Sequence, residues 1–194
     1  KAQLEGFGSF EGVIHTKGEL YDYLRSKAGG YIFLNGDNGY LLNIAKDLKA
    51  YTYGRPGQGY DVEGEVLNCN PFLHFRWRVK DGVWQEVQTQ LIGAYNIDNA
   101  LAAAAGALTL GVNLETVASA LSNARALSPH RMDVHELTVQ GTAITLIDDS
   151  YNANLDSMRA GIAALASIGR DSQRIAVLGE MLELGEDSQS LHQQ

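Results

Sequence analysis

Three places in the chain combine residue types that can do chemistry. Lys17 lies seven residues after Phe10, four before Tyr21 and seven before Leu24. At 3.6 residues per turn that spacing puts an amine on the apolar stripe of a helix rather than on its wet face. Either the stem covers the core while the ammonium reaches water, or the amine is partly buried and reactive. The second place is the run Asp148, Asp149, Ser150, Tyr151, Asn152, Ala153, Asn154. Two carboxylates and two amides there lie between a predicted strand end and a helix start, where open α/β sheets bind ligands. The plainer reading is a polar turn with Asn154 or Asp156 as the helix cap. The third is Arg131, which follows Pro129 and His130 at a predicted junction between two units. A guanidinium at such a cleft can clamp a phosphate or form an inter-unit salt bridge.

The elements that must position these groups read as follows. Residues 10–26 form a helix, with Ser9 as cap and Glu11 in its first turn. Residues 31–34 are a short strand, 39–48 a short helix and 51–53 another short strand. Phe75, Trp77 and Val79 alternate with Arg76 and Arg78, the pattern of a half-buried strand. Asp81-Gly82 turns it back into a partner strand over 83–92. Residues 97–110 form an Ala-rich helix closed by Gly111, and Asn113 caps a helix over 114–124 packed beside it. A second unit begins near Arg131. Strands at 133–139 and 142–147 join through Gln140-Gly141, a helix spans 156–168, and residues 174–178 form another strand. Strand, helix, strand at this spacing predicts a βαβ unit and a parallel sheet. The glycine-rich stretch 54–59 has no following Lys-Ser/Thr and is expected to be a flexible hairpin connection. No G-x-x-x-x-G-K-[ST] phosphate loop occurs in the chain.

Composition narrows the classes. With 15 Lys and Arg against 23 Asp and Glu, the net charge of −8 argues against a coat for nucleic acid or anionic membrane. No apolar run approaches a membrane span. One cysteine, Cys69, excludes an internal disulfide and a cysteine zinc site, and a reducing cytoplasm is the expected compartment. Cys69 and His74 have no neighbours at ligand spacing and read as structural. The opening Lys-Ala-Gln-Leu-Glu-Gly is neither Met-initiated nor a leader, and the second unit reads as incomplete, so both ends are expected to be cut.

Taken together, the motifs resemble the Mur ligase family, in the branch that adds D-Ala-D-Ala. They are LEGFGSFEG at 4–12 with Lys17-Gly18-Glu19, GAYNIDNALA at 93–102, HRMD at 130–133, DDSYNAN at 148–154 and VLGEMLELG at 177–185. The resemblance implies an α/β fold. Residues 1–130 would be the latter part of a central ATPase domain, and 131–194 the first part of a Rossmann-like C-terminal domain. The UDP-binding domain and the phosphate loop would be missing.

The implied activity is ATP-driven amide formation in cytoplasmic peptidoglycan precursor synthesis, with UDP-N-acetylmuramoyl-tripeptide and D-Ala-D-Ala as substrates. The expected state is a monomer that binds neither nucleic acid nor membrane. By the same resemblance, Lys17, Arg131 and Asp149 carry catalysis, with Lys17 carbamoylated into an oxygen ligand for Mg²⁺. Asn96, Asn99, Arg131 and Asp149 hold ATP, and Asn152 and Asn154 face the substrate. Gln3 stands where the family has a metal-binding His, so its amide oxygen would take that place. Tyr95 replaces another family His, and its ring could stack on a base. The competing expectations are a sibling or folylpolyglutamate-type ligase, or a non-catalytic nucleotide-binding fragment. These 194 residues alone are expected neither to bind ATP tightly nor to turn it over.

Overall fold

The computed structural model describes residues 4–168 and 171–193. A short helix α1 (Leu4–Phe7) precedes α2 (Phe10–Arg25). Ser9 caps α2, its Oγ accepting from the Gly12 amide at 3.0 Å. Tyr21 and Leu24 of α2 pack with buried Ile32 and Leu34 of β1 (Tyr31–Asn35) and Ala45 of α3 (Gly39–Ala45). Strand β2 (Lys49–Gly54) lies parallel to β1.

Residues 54–59 do not make a hairpin connection. Strand β3 (Val62–Cys69) runs parallel to β2 and meets it only at Tyr53↔Val62 and Gly54↔Glu63. The chain loops out and continues in the same direction, and the loop is pinned at several points. The Asp61 carboxylate accepts from the Thr52 amide at 2.7 Å and its hydroxyl at 2.8 Å. The Gly57 and Gly59 amides donate to Glu63 Oε1 at 3.3 and 3.2 Å. Arg55 reaches Asp98 at 2.9 Å. Tyr60 folds back over the seam, and a Cβ added at Gly36 or Gly54 would land in its ring.

From β3 the sheet continues as an antiparallel meander through β4 (Phe72–Val79) and β5 (Gln85–Ile92), in the order β1-β2-β3-β4-β5. The predicted alternation in β4 holds: Phe75 and Trp77 are fully buried while Arg76 is exposed. They pack with Val62, Leu73 and Val87 under α4 (Asn96–Thr109) and α5 (Leu114–Ser122), whose Ile97, Leu101, Val117 and Leu121 complete the main core. Burying a large apolar side chain contributes about 1.5–3 kcal/mol, so the molecule's stability concentrates here. The small side chains of Ala100, Ala104 and Ala105 face that core. Gly64 admits Leu101, whose Cδ2 would lie 2.7 Å from an added Cβ. Asn113 caps α5, and Gly111 ends the α4 turn at φ 85°.

The second unit opens with the hairpin β6 (Asp133–Val139) and β7 (Thr142–Asp148). Gln140 and Gly141 turn it with φ of 50° and 80°, both left-handed as a tight hairpin requires. Helix α6 (Leu155–Ser167) follows. A 3₁₀ turn (Gly185–Asp187) and α7 (Ser188–His192) close the described chain. Met132 and Ala164 pack with Ile92 of β5, joining the two units.

The predicted strand over 174–178 is not formed. A strand is held by a neighbour's ladder, and residues 174–178 pair with none among the described residues. Arg174 donates instead to the Ala166 carbonyl of α6 at 2.7 Å, and Ile175, Val177 and Leu178 are 70%, 93% and 59% exposed. The only ladder in this unit, among the described residues, is therefore antiparallel. No helix among the described residues is long and apolar enough to cross a membrane.

Candidate functional site

The residues expected at the junction do converge. His130 and Met132 both hold left-handed backbone, at φ 62° and 51°. That conformation is unfavourable for bulky L-residues and persists only when neighbours fix it. The two carboxylates at the end of β7 fix it from both sides. Asp148 Oδ2 lies 2.6 Å from His130 Nδ1, and Asp149 Oδ1 accepts from the Met132 amide at 3.1 Å. The Tyr151 amide donates to the His130 carbonyl at 2.9 Å. Arg131 sits at the apex, its guanidinium 4.1 Å from the centre of the Tyr151 ring.

The two aspartates differ in character. The His130 contact, followed by the Ser150 hydroxyl and amide, holds the Asp148 carboxyl down at about 2. Asp149 shifts the other way. Partial burial pushes its carboxyl up, opposed by the Met132 amide and the Arg131 charge.

Helix α4 brings its first turn to the same group. The Asn96 side chain donates to the Ile92 carbonyl at 2.8 Å, and Asn99 Nδ2 donates to Asn96 Oδ1 at 3.0 Å. Neighbouring Tyr95 is 45% exposed. Burial and the nearby Asp149 charge raise its hydroxyl, while Asn96 and Arg131 act in the opposite direction.

Other expected site residues stand apart. Asn154 is the cap of α6, its Oδ1 accepting from the Asp156 and Ser157 amides at 3.0 Å each, so its oxygen is committed to the helix. Asn152 Oδ1 accepts from the adjacent Ala153 amide at 2.9 Å. Lys17 is exposed, not partly buried. The predicted stripe holds only in part: Tyr21 and Leu24 pack with the cluster on β1, whereas Leu20 is 60% exposed and Lys17 is exposed with it. No hydrogen bond or ion pair joins Lys17 to the junction among them. Gln3 lies outside the described residues.

The arrangement fits an anion better than a metal. Arg131 donates no hydrogen bond and forms no ion pair among the described residues, and its guanidinium carbon lies over the Tyr151 ring, so its N–H groups are not spent on a protein acceptor and can grip phosphate oxygens. No cluster of three or more His, Cys, Asp or Glu that could hold a metal ion occurs among the described residues. Cys69 packs on the main core, and His74 is bound between Asn68 and Glu86, as their structural reading expects. Sequence reasoning missed Tyr151 as a partner of Arg131. Its one available signal was an aromatic residue inside an otherwise polar turn.

Residues 1–107 match the family model described as Mur ligase middle domain, and residues 130–194 that described as Mur ligase, glutamate ligase domain. Two similar curated proteins are named UDP-N-acetylmuramoyl-tripeptide–D-alanyl-D-alanine ligase. The one from Mycobacterium tuberculosis is 39% identical over 98% of this chain and 38% of its own length. The one from Escherichia coli is 34% identical over 100% of this chain and 42% of its own. Among solved structures, MurF from Acinetobacter baumannii superposes with a TM-score of 0.78 at 28% identity, covering 98% of this chain and 40% of that one. The chain thus spans about two-fifths of the length of these relatives.

Proposed function

The chain belongs to the Mur ligase family, and from that premise we propose that the whole protein is an ATP-dependent amide ligase. It joins D-Ala-D-Ala to UDP-N-acetylmuramoyl-tripeptide in the cytoplasm, as a monomer. In this reading residues 1–130 belong to the ATP-binding domain and 131–194 to the domain that receives the dipeptide. The observation that carries the proposal is the guanidinium of Arg131, without a hydrogen-bond partner among the described residues, held over Tyr151 on a clamped turn where the two units meet.

The reaction has two displacements. The tripeptide carboxylate attacks the γ-phosphorus of ATP, ADP leaves, and an acyl phosphate forms. The amine of D-Ala-D-Ala then attacks the acyl carbon, loses a proton and expels phosphate. Negative charge gathers on the phosphoryl oxygens in the first step, and fixed donors there lower the barrier. Arg131 supplies such donors. Asp149 orients the nucleotide from the second unit, and Asn96 and Asn99 offer amide edges suited to adenine. Asn152 and the amide nitrogen of Asn154 face the acceptor.

Bound Mg²⁺ would neutralise charge on the phosphates. Lys17, as a carbamate, would offer it one hard oxygen ligand. Among the described residues no group of three or more His, Cys, Asp or Glu gathers to hold the ion beside it.

The test is acceptor-dependent ADP release by the whole protein, given ATP and UDP-N-acetylmuramoyl-tripeptide. D-Ala-D-Ala should support turnover, whereas glutamate and diaminopimelate should not. Release supported by either of those instead would assign the protein to a sibling activity.

A further inference from the structure

We propose that Tyr151 is a positioning residue that presents Arg131 to the nucleotide phosphates. The proposal rests on the reading of Arg131 as a phosphate contact and adds what keeps that side chain in place. The backbone of the turn is fixed by Asp148 through His130, by Asp149 through the Met132 amide, and by the Tyr151 amide on the His130 carbonyl. These bonds fix the Cα of Arg131 but not its long side chain, which loses much rotamer freedom whenever it is held.

Two groups compete for the guanidinium. The Arg131 charge acts to lower the Asp149 carboxyl, yet the two form no ion pair among the described residues. An ion pair would occupy the in-plane N–H fork, the part a phosphate needs. The guanidinium lies over the Tyr151 ring instead, its carbon 4.1 Å from the ring centre, a contact that uses no hydrogen-bond acceptor and leaves the N–H groups unpaired. Asp149 Oδ1 is engaged by the Met132 amide at 3.1 Å. The ring thus holds the Arg131 side chain while leaving it unpaired among the described residues.

The Tyr151 hydroxyl makes no hydrogen bond among the described residues, so the ring face does the positioning. The side chain is 61% exposed, and replacing it should leave the fold intact.

The experiment is a set of variants of the whole protein, read by calorimetric affinity for ADP, by KM for ATP and for D-Ala-D-Ala, and by the NMR shift of the Arg131 δ protons. In the wild type those protons should lie upfield, as expected above an aromatic ring. Tyr151→Phe should keep that shift and the wild-type affinity. Tyr151→Leu should lose the shift and weaken ADP and ATP about two- to fivefold, the size of an exposed cation–π contact, with KM for D-Ala-D-Ala unchanged. In an Arg131→Ala background, Tyr151→Leu should weaken ADP no further.

Equal losses in Tyr151→Phe and Tyr151→Leu would overturn the proposal, as would an undiminished loss in the Arg131→Ala background or wild-type affinity in Tyr151→Leu. If Arg131→Ala itself binds ADP normally, the phosphate reading of Arg131 falls, whatever the δ-proton shift shows about stacking.

Discussion

Strands β3, β4 and β5 hold Val62, Leu73, Phe75, Trp77 and Val87 at 1% exposure or less, whereas in β6 and β7 the residues Leu137, Val139, Ile144 and Leu146 stay 41–49% exposed. Both regions are hydrogen-bonded ladders of similar strand length. The difference is cover. Helices α4 and α5 close over the meander, while among the described residues β6 and β7 touch a core only where Val134 and Ile147 meet Met132, Ile92 and Ala164. Ladder bonds alone contribute little net stability, and burial contributes most of it. Stability is therefore expected to concentrate in the first unit and chemistry at the edge of the second.

The contrast is sharpest at Trp77. Trp77→Ala opens a cavity beneath α4 and should destabilise the protein by about 3–5 kcal/mol, measured by urea denaturation. A loss under about 1 kcal/mol would mean that the meander is not the stabilising centre.

A smaller effect is expected at the buried polar point of that unit. The Glu63 side chain is 4% exposed and paired with Arg78 at 2.8 Å. Burial raises its carboxyl, but Arg78 and the Gly57 and Gly59 amides outweigh that and hold it below the ordinary 4.5. Glu63→Ala should destabilise by about 2 kcal/mol, less than for a fully buried pair because Arg78 remains partly exposed. A carboxyl held low stabilises the fold above its unfolded value and loses that contribution as pH falls through the folded one. The gap between wild type and Glu63→Ala should accordingly narrow below pH 4.5. A gap independent of pH would show that the charge is not what matters.

The smallest effect belongs to the ribbon. Leu146→Ala should change stability by no more than about 0.5 kcal/mol, seen as an unshifted denaturation midpoint. A loss of about 2 kcal/mol would show that the ribbon face is covered in solution and would erase the contrast.

The same contrast explains what the sequence could disclose. Phe75 and Trp77 alternate with Arg76, Asn113 precedes α5, and Gln140-Gly141 separates two strands; each signal is local and each held. Residues 54–59 misled because a glycine-rich stretch reads alike whether the next strand returns or continues. Residues 174–178 misled because an apolar run does not name its ladder partner. The stripe through Lys17 misled because helical spacing shows which residues share a face but not whether that face is covered, and both Lys17 and Leu20 are exposed. At the junction, Arg131 and Asp149 were legible as types in a motif. The stacking of Arg131 on Tyr151, twenty residues later, depends on two left-handed residues that propensity disfavours.

The seam between β2 and β3 carries a constraint on how this protein can vary. The Tyr60 ring fills the space that any side chain at Gly36 or Gly54 would need, and close-packed interiors do not absorb such overlaps. A side chain at position 36 or 54 thus competes with residue 60 for the same space. An alanine at either glycine requires the Tyr60 ring to move aside or shrink, and at position 54 the Asp37 carboxylate must give way as well.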